Sequence, residues 1–347
     1  MSRADAALLA ALAFALVTCR GDETPPPPKG APTPFPVAFV YSGTPGDQGW
    51  VDAQEVARGA LVERLDWVHT TVRSGVTPDT APEALDALAS AGWRLIVVAD
   101  PDLRAQTEAA AARQPATTFL LVGAREGDGV ATRDGALEAV RFVAGIAAGA
   151  RAVADGRPAV GCVARGDGDR ERAFVDAAAL GVRETCPDCR LLVRRIPAGA
   201  GPPEDVAAIT ALFQVGADVV FAATGGDDAL AAVPPGRWLV ARALAGPCEA
   251  APDRCLTATF WSWVWTYDSV VKRVNDGSWR GGRELLGVDG GAVGLLGFMD
   301  REEPPPGIPA DAIAGIRERF DRMKRGETPG LPEGVTPGFE ELNVEER

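Results

Sequence analysis

Two stretches hold most of the side chains that could recognise a small molecule. "YSGTPGDQGW" (41–50) brings a carboxylate, an amide and an indole together as Asp47, Gln48 and Trp50. "TFWSWVWTYDSVV" (259–271) carries three indoles at alternate positions, Trp261, Trp263 and Trp265. Carboxylates and amides orient a polar ligand, while indoles offer flat apolar faces for a ring. If the strand "CLTATF" (255–260) runs on through the tryptophans, alternation puts all three on one face. Plain packing between lobes is the competing use of that surface. A third loop, "TGGDD" (224–228), adds Thr224.

Catalysis has less to work with. The one histidine, His69, sits in the strand-like "WVHTTV", which speaks against His-based triads and multi-histidine metal sites. The forms GxxxxGK[ST], GxSxG and a GxGxxG placed after a strand do not occur. The run "GDGDRER" (166–172) reads as a solvated charged face. No catalytic residue, cofactor or metal site is assigned, and the expected activity is binding. With 35 basic and 48 acidic residues, net −13 and no basic block, the chain lacks a nucleic-acid footprint.

Apolar runs alternate with helical segments from Phe35 onward and must position these residues. The runs are 37–41, 67–72, 94–99, 118–123, 159–164, 190–196, 217–223, 237–243 and 255–260; helical spacing covers 82–92, 103–113, 171–184 and 204–215. Continuous apolar strands alternating with helices indicate parallel sheets covered on both faces. A chain of 347 residues exceeds what one core usually serves, so two doubly wound lobes are expected. In such sheets the ligand crevice lies beyond the carboxyl ends of the strands. The loops carrying Trp50 and Thr224 both fall there.

The N-terminus has a lone Arg3, an apolar stretch from Ala6 to Val17, and then Leu16-Val17-Thr18-Cys19 ahead of a proline-rich segment. The stretch is too short to span a membrane and reads as a secretory signal. Its end resembles the lipobox of bacterial lipoproteins, which makes Cys19 the lipidation site; an ordinary cleaved signal with an incidental cysteine is the alternative. Of six cysteines, Cys162 lies in an apolar strand. Cys186 with Cys189, and Cys248 with Cys255, form two close pairs in turn-rich stretches. Two local disulfides suit an oxidising compartment. Cross-pairing, a redox-active "CPDC" and a four-cysteine zinc site are the other readings.

The stretches "VAFVYSGTPGDQGWVDAQEVARGAL", "ALEAVRFVAGIAAGARA", "DAAALGVRETCPDCRLLV", "ITALFQVGADVVFAATG" and "LTATFWSWVWTYDSVVKRVNDGSWRGG" resemble, in order and spacing, the basic membrane protein family. These are bacterial substrate-binding lipoproteins of nucleoside-type ABC transporters, related to the purine nucleoside receptor. The resemblance implies a type I periplasmic-binding-protein fold, two doubly wound parallel-sheet lobes joined by a three-segment hinge. It also implies a purine-like ligand in the cleft, an ABC transporter permease as partner, and an extracytoplasmic, lipid-anchored location. Asp47 and Gln48 would then supply polar contacts, Trp50 would stack on the base, and Trp261 and Trp263 would line or support the cleft near the hinge. Three departures weaken a nucleoside assignment: Val51 replaces an asparagine, the strand ending "WLVARALAG" lacks the carboxylate that holds a ribose, and "PAGAG" (197–201) replaces an aromatic. A free base, a modified nucleoside or another flat heterocycle fits the remaining residues better. A ligand-gated sensor or partner-binding lipoprotein without a transport role would use the same hinge. The expected boundaries are a signal peptide over 1–18, an anchor and tether over 19–35, a first lobe of 36–128 and 246–262, a second lobe of 129–245 and 263–330, and a tail over 331–347.

Overall fold

A computed structural model describes residues 34–46, 49–243, 246–299, 303–327 and 340–342. The expected signal peptide, Cys19 and nearly all of the tether lie outside the described residues, as do Asp47 and Gln48.

The first part of the chain alternates β1 (Phe35–Val40), α1 (Trp50–Arg64), β2 (Val68–Arg73), α2 (Ala81–Ser90), β3 (Leu95–Val98), α3 (Arg104–Arg113), β4 (Thr118–Val122) and β5 (Ala131–Gly135). The second runs α4 (Leu137–Ala154), β6 (Ala159–Arg165), α5 (Asp169–Thr185), β7 (Arg190–Ile196), α6 (Pro202–Gln214), β8 (Val219–Phe221), α7 (Asp227–Ala231), β9 (Trp238–Ala243), α8 (Gly246–Ala250) and β10 (Cys255–Trp261). The last part holds α9 (Val264–Asn275), β11 (Arg283–Leu286), β12 (Val293–Leu295), α10 (Ala310–Lys324) and β13 (Glu340–Glu341).

Two sheets result. One has the order β11-β5-β4-β3-β1-β2 and is wholly parallel. The other is β12-β10-β9-β8-β6-β7-β13, parallel except for the β10–β12 pair. Strands such as "LIVV" of β3 are buried throughout, as expected of parallel strands covered on both faces.

The sheets correct the lobe boundaries. Residues 255–261 were expected in the first lobe, but β10 pairs with β9 in the second sheet. Residues 263–330 were expected in the second lobe; β12 and α10 lie there, but α9 packs on α1 and β11 pairs with β5 in the first. The first sheet also extends to Gly135, beyond the expected 128. A buried parallel strand reads as equally apolar in either lobe, so its composition does not say which sheet it joins. The chain thus passes between lobes three times, after β5, after β10 and between β11 and β12. Within the expected tail, Glu340–Glu341 pairs with β7.

Strand β5, "ATRDG", breaks the apolar pattern. Its Thr132, Arg133 and Asp134 are nevertheless buried. Burying charge is tolerable only with partners. Arg133 pairs with Glu284 at 2.9 Å, and Asp134 takes Arg125 and Arg170 at 2.8 Å each.

In the second lobe, α4 and α5 approach so closely that side chains are excluded. A Cβ on Gly181 would lie 1.9 Å from the Phe142 carbonyl oxygen, and one on Gly145 would lie 2.2 Å from that of Ala178. This lobe also holds both disulfides, Cys186–Cys189 between α5 and β7 and Cys248–Cys255 from α8 to β10. Their Cα separations of 5.3 and 5.2 Å lie inside the usual range of about 4.4–6.8 Å. Cys162 is free and buried.

Candidate functional site

Each sheet has one point where the chain reverses its direction of growth. In the first sheet β1 is flanked by β2 and β3, and in the second β6 is flanked by β7 and β8. Crevices open at such switch points, beyond the carboxyl ends of the strands. Trp50, the first residue of α1, spans the first switch point: its Nε1 donates to the Ala99 carbonyl, just after β3, at 2.6 Å. Arg165 ends β6, while Ala223 and Thr224 follow β8 at the second.

The two crevices meet. Gly49 and Trp50 from the first lobe, with Arg165, Thr224, Arg242, Trp261 and the Ala200–Pro202 turn from the second, line one cavity of about 180 Å³. That is smaller than the roughly 300–1,000 Å³ of common ligand pockets.

The aromatic wall is built edge to face. Trp50 lies 5.0 Å from Trp261 at 89° and 5.7 Å from Trp263 at 79°. Perpendicular rings at this spacing are a favoured packing and leave no slot between them. A ligand ring would stack on an indole face turned to the cavity. The Trp50 indole also presses on Gly123, where a Cβ would come within 3.0 Å of its ring. With φ at +87°, Gly123 takes a conformation that suits glycine for a second reason.

The three tryptophans near 261 separate. Trp261 ends β10 and lines the cavity. Trp263 is fully buried against Trp50 and Tyr267, so it supports the wall rather than facing a ligand. Trp265 is 56 % exposed, lies under the Arg64 guanidinium at 4.3 Å, and borders a different hollow. The expected shared face fails because the strand stops at Trp261 and α9 begins at Val264; past that point side chains turn by helical steps rather than alternating. Thr224 does reach the cavity, but its hydroxyl donates to Asp205, whose oxygens also accept from the Ala223 and Thr224 N–H groups at 3.1 and 3.0 Å. Toward a ligand the hydroxyl is therefore an acceptor.

Arginines were not anticipated here. Arg242 on β9 is 7 % exposed, donates from Nε to the Ala223 carbonyl at 2.7 Å, and reaches both Glu171 oxygens from Nη1 at 3.1 and 3.0 Å. Arg170 on α5 reaches across to the first lobe, donating to the Gly123 carbonyl at 2.9 Å and to Asp134 at 2.8 Å. Its guanidinium lies 5.7 Å from the Trp50 ring and 5.9 Å from the Trp261 ring. Burial pulls the Arg170 pKa down, with Asp134 opposing. Burial pushes Glu171 up, but Arg242, Arg141 and the Arg165 N–H outweigh it and hold the carboxyl below its ordinary range. Arg170 and Glu171 belong to the run read as solvated. One signal was available: Arg170, Phe174 and Ala177 fall at i, i+4 and i+7 of one helix, a spacing that marks a single face.

Among the described residues no group of three His, Cys, Asp or Glu is placed to hold a metal ion. A donor-rich, aromatic-walled cavity between two lobes is suited to holding a small molecule.

Comparison with known proteins agrees with this geometry. Residues 36–307 match the family described as Bmp, ABC transporter substrate-binding protein PnrA-like. A purine-binding protein of Brucella abortus (strain 2308) is 27% identical over 297 residues, covering 84% of this chain and 81% of that protein. A Haloferax volcanii protein provisionally named an ABC transporter glucose-binding protein is 26% identical over 245 residues, covering 70% of this chain and 62% of its own length. Among solved structures, an ABC transporter solute-binding protein from Aeropyrum pernix K1 superposes with a TM-score of 0.69 at 20% identity, over 85% of this chain and 94% of that one. The two-sheet architecture is thus that of the periplasmic binding proteins, and the chain belongs to the Bmp family of PnrA-like ABC transporter substrate-binding proteins, which bind solutes and are not enzymes.

Proposed function

We propose that this protein is an extracytoplasmic, lipid-anchored receptor that captures a purine-like flat heterocycle between its lobes and delivers it to an ABC transporter permease. The observation that carries the reading is the meeting of Trp50, at the first switch point, and Trp261, at the end of β10 in the second sheet, on a single cavity of about 180 Å³. The lack of a ribose-holding carboxylate in "WLVARALAG" favours a base over a nucleoside. The two relatives are named for different ligands, a purine and glucose, so likeness alone does not choose between them. The aromatic wall supports the ring.

Ligand held by both walls would favour the closed arrangement of the lobes, and the closed surface is what a permease reads. Arg170 ties α5 of the second lobe to Gly123 and Asp134 of the first, so the protein itself contributes bonds between the lobes.

Thermal unfolding of the purified chain against bases, nucleosides, sugars and amino acids tests the reading. A cleft ligand at about 100 times its dissociation constant adds roughly 2.7 kcal/mol and raises the midpoint by several degrees. A rise with a purine base and none with glucose is expected, with the ligand recovered unchanged. A rise with glucose alone would replace the purine by a sugar.

A further inference from the structure

Strand β5 ends at the first crossing from one lobe to the other, and charge collects there. Asp134 is 1 % exposed. Its Oδ2 accepts from Arg125 Nε at 2.8 Å, and its Oδ1 accepts from Arg170 Nη2 at 2.8 Å and from the Gly135 N–H at 2.9 Å. Arg125, from the loop after β4, also reaches Glu138 on α4 at 2.8 Å. Arg170, Asp134, Arg125 and Glu138 thus form one chain of charges that starts and ends in the second lobe and passes through the first.

Arg170 is the member that bridges the cleft. Its backbone belongs to α5, while Nη1 donates to the Gly123 carbonyl and Nη2 to Asp134, both in the first lobe. Each landing point lies against an indole of the cavity wall. A Cβ on Gly123 would come within 3.0 Å of Trp50, and one on Gly135, bonded to Asp134, within 2.8 Å of Trp261. The guanidinium itself lies 5.7 Å from the Trp50 ring and 5.9 Å from the Trp261 ring. Parting the lobes breaks both Arg170 bonds, and the charge-assisted one belongs to the stronger class. Arg125 holds Asp134 from within the same lobe, so the acceptor stays in place when the lobes part. Against closure stands Arg170 Nε, buried without a hydrogen-bond partner among the described residues, a cost that keeps the clasp from locking.

We propose that Arg170 is a positioning residue whose clasp sets how far the empty lobes close, and thereby the affinity for a cleft ligand. The proposal rests on the reading that the ligand is held between the lobes. A ligand that needs the closed lobes binds more weakly in proportion as fewer chains are closed.

Small-angle X-ray scattering of the purified, ligand-free chain tests the clasp without any ligand. Arg170→Met keeps an unbranched side chain beside the indoles and removes both bonds, so its radius of gyration should exceed that of the unaltered chain. Arg170→Lys keeps the charge but not the two-pronged reach, and should fall between them. Asp134→Asn removes the charged acceptor and should also widen the particle, which covers the case that Arg170→Met does not fold. Calorimetric titration with hypoxanthine should give a dissociation constant about tenfold higher in Arg170→Met, as a tenfold smaller closed fraction requires. Saturating hypoxanthine should return that variant to the radius of the unaltered, liganded chain. Equal radii in all ligand-free chains would overturn the clasp. A loss of affinity at unchanged radius would also overturn it and make Arg170 a ligand contact instead. Hypoxanthine that binds none of the chains would count against the purine reading alone, and the radii would still decide the clasp.

Discussion

The lobes bring different chemistry to their common cavity. From the first come Gly49 and the Trp50 indole, fixed by the backbone carbonyl of Ala99. The second supplies Arg165, Arg242, Thr224 and Trp261, with Glu171 and Asp205 behind them. Among the described residues the first wall is an indole held by one backbone hydrogen bond, whereas the second is a network of charges in which each group depends on its neighbours. The supporting structures differ in the same way. Both disulfides and the tightest helix pair, α4 on α5, lie in the second lobe. Among the described residues the first lobe has no disulfide. A charge network loses its value if its members drift, so a braced scaffold belongs behind it.

The largest effect should come from loosening that brace. Gly181→Ala would force a methyl to within 1.9 Å of the Phe142 carbonyl, a backbone atom that cannot swing aside. Overpacking usually costs about 1–3 kcal/mol. Because backbone meets backbone here, a loss of about 3 kcal/mol is expected in urea unfolding. A loss below about 0.5 kcal/mol would mean that the two helices can separate freely.

Next comes the charge network. Glu171 is held below its ordinary pKa by Arg242 and Arg141 against its burial, so its contribution is complete above the unfolded-state value of about 4.3. It is lost as pH falls through the lower folded-state value. A charge-assisted pair of this kind contributes about 1.5–3 kcal/mol. The stability gap between the unaltered chain and Glu171→Gln should therefore be wide at pH near 6 and shrink in acid. A gap that stays constant with pH would show that Glu171 contributes by shape and not by charge.

On the first wall, Trp50→Ala should weaken ligand binding by about 1–3 kcal/mol, the range for base–aromatic stacking. Trp265→Ala should leave affinity unchanged, since that ring borders another hollow. Equal losses in both would place the ligand near α9 instead, and an unchanged affinity in Trp50→Ala would remove stacking from the proposal.

What could be read in advance follows the same division. The apolar strands were legible because burial on both faces leaves unbroken runs, as in β3 and β4. Strand β5 was not, since its burial depends on Glu284, Arg125 and Arg170, which are distant in sequence. Trp50 was legible as an indole in the loop beyond a strand, and Trp261 as one at a strand end. The shared face of Trp261, Trp263 and Trp265 does not form because the strand stops at Trp261, before alternation can carry the other two. Arg242 was hidden inside an apolar strand pattern, where a lone arginine gives no sign that Glu171, on the distant α5, will pair with it.

The smallest effect uses the first substitution again in the other lobe. Gly59 lies within α1, and a Cβ there would meet nothing within 4 Å. Alanine in a helix is favoured over glycine by roughly 0.5–1 kcal/mol, mainly because the unfolded chain has less freedom to lose. Gly59→Ala should therefore stabilise the protein by about that amount, where Gly181→Ala destabilises it several-fold more. The midpoint of urea unfolding should rise with no change of slope. A fall would mean that α1 needs its flexibility at this point. In that case the wall carrying Trp50 would be as tightly specified as the arginine wall facing it, and the contrast between the lobes would reduce to chemistry alone.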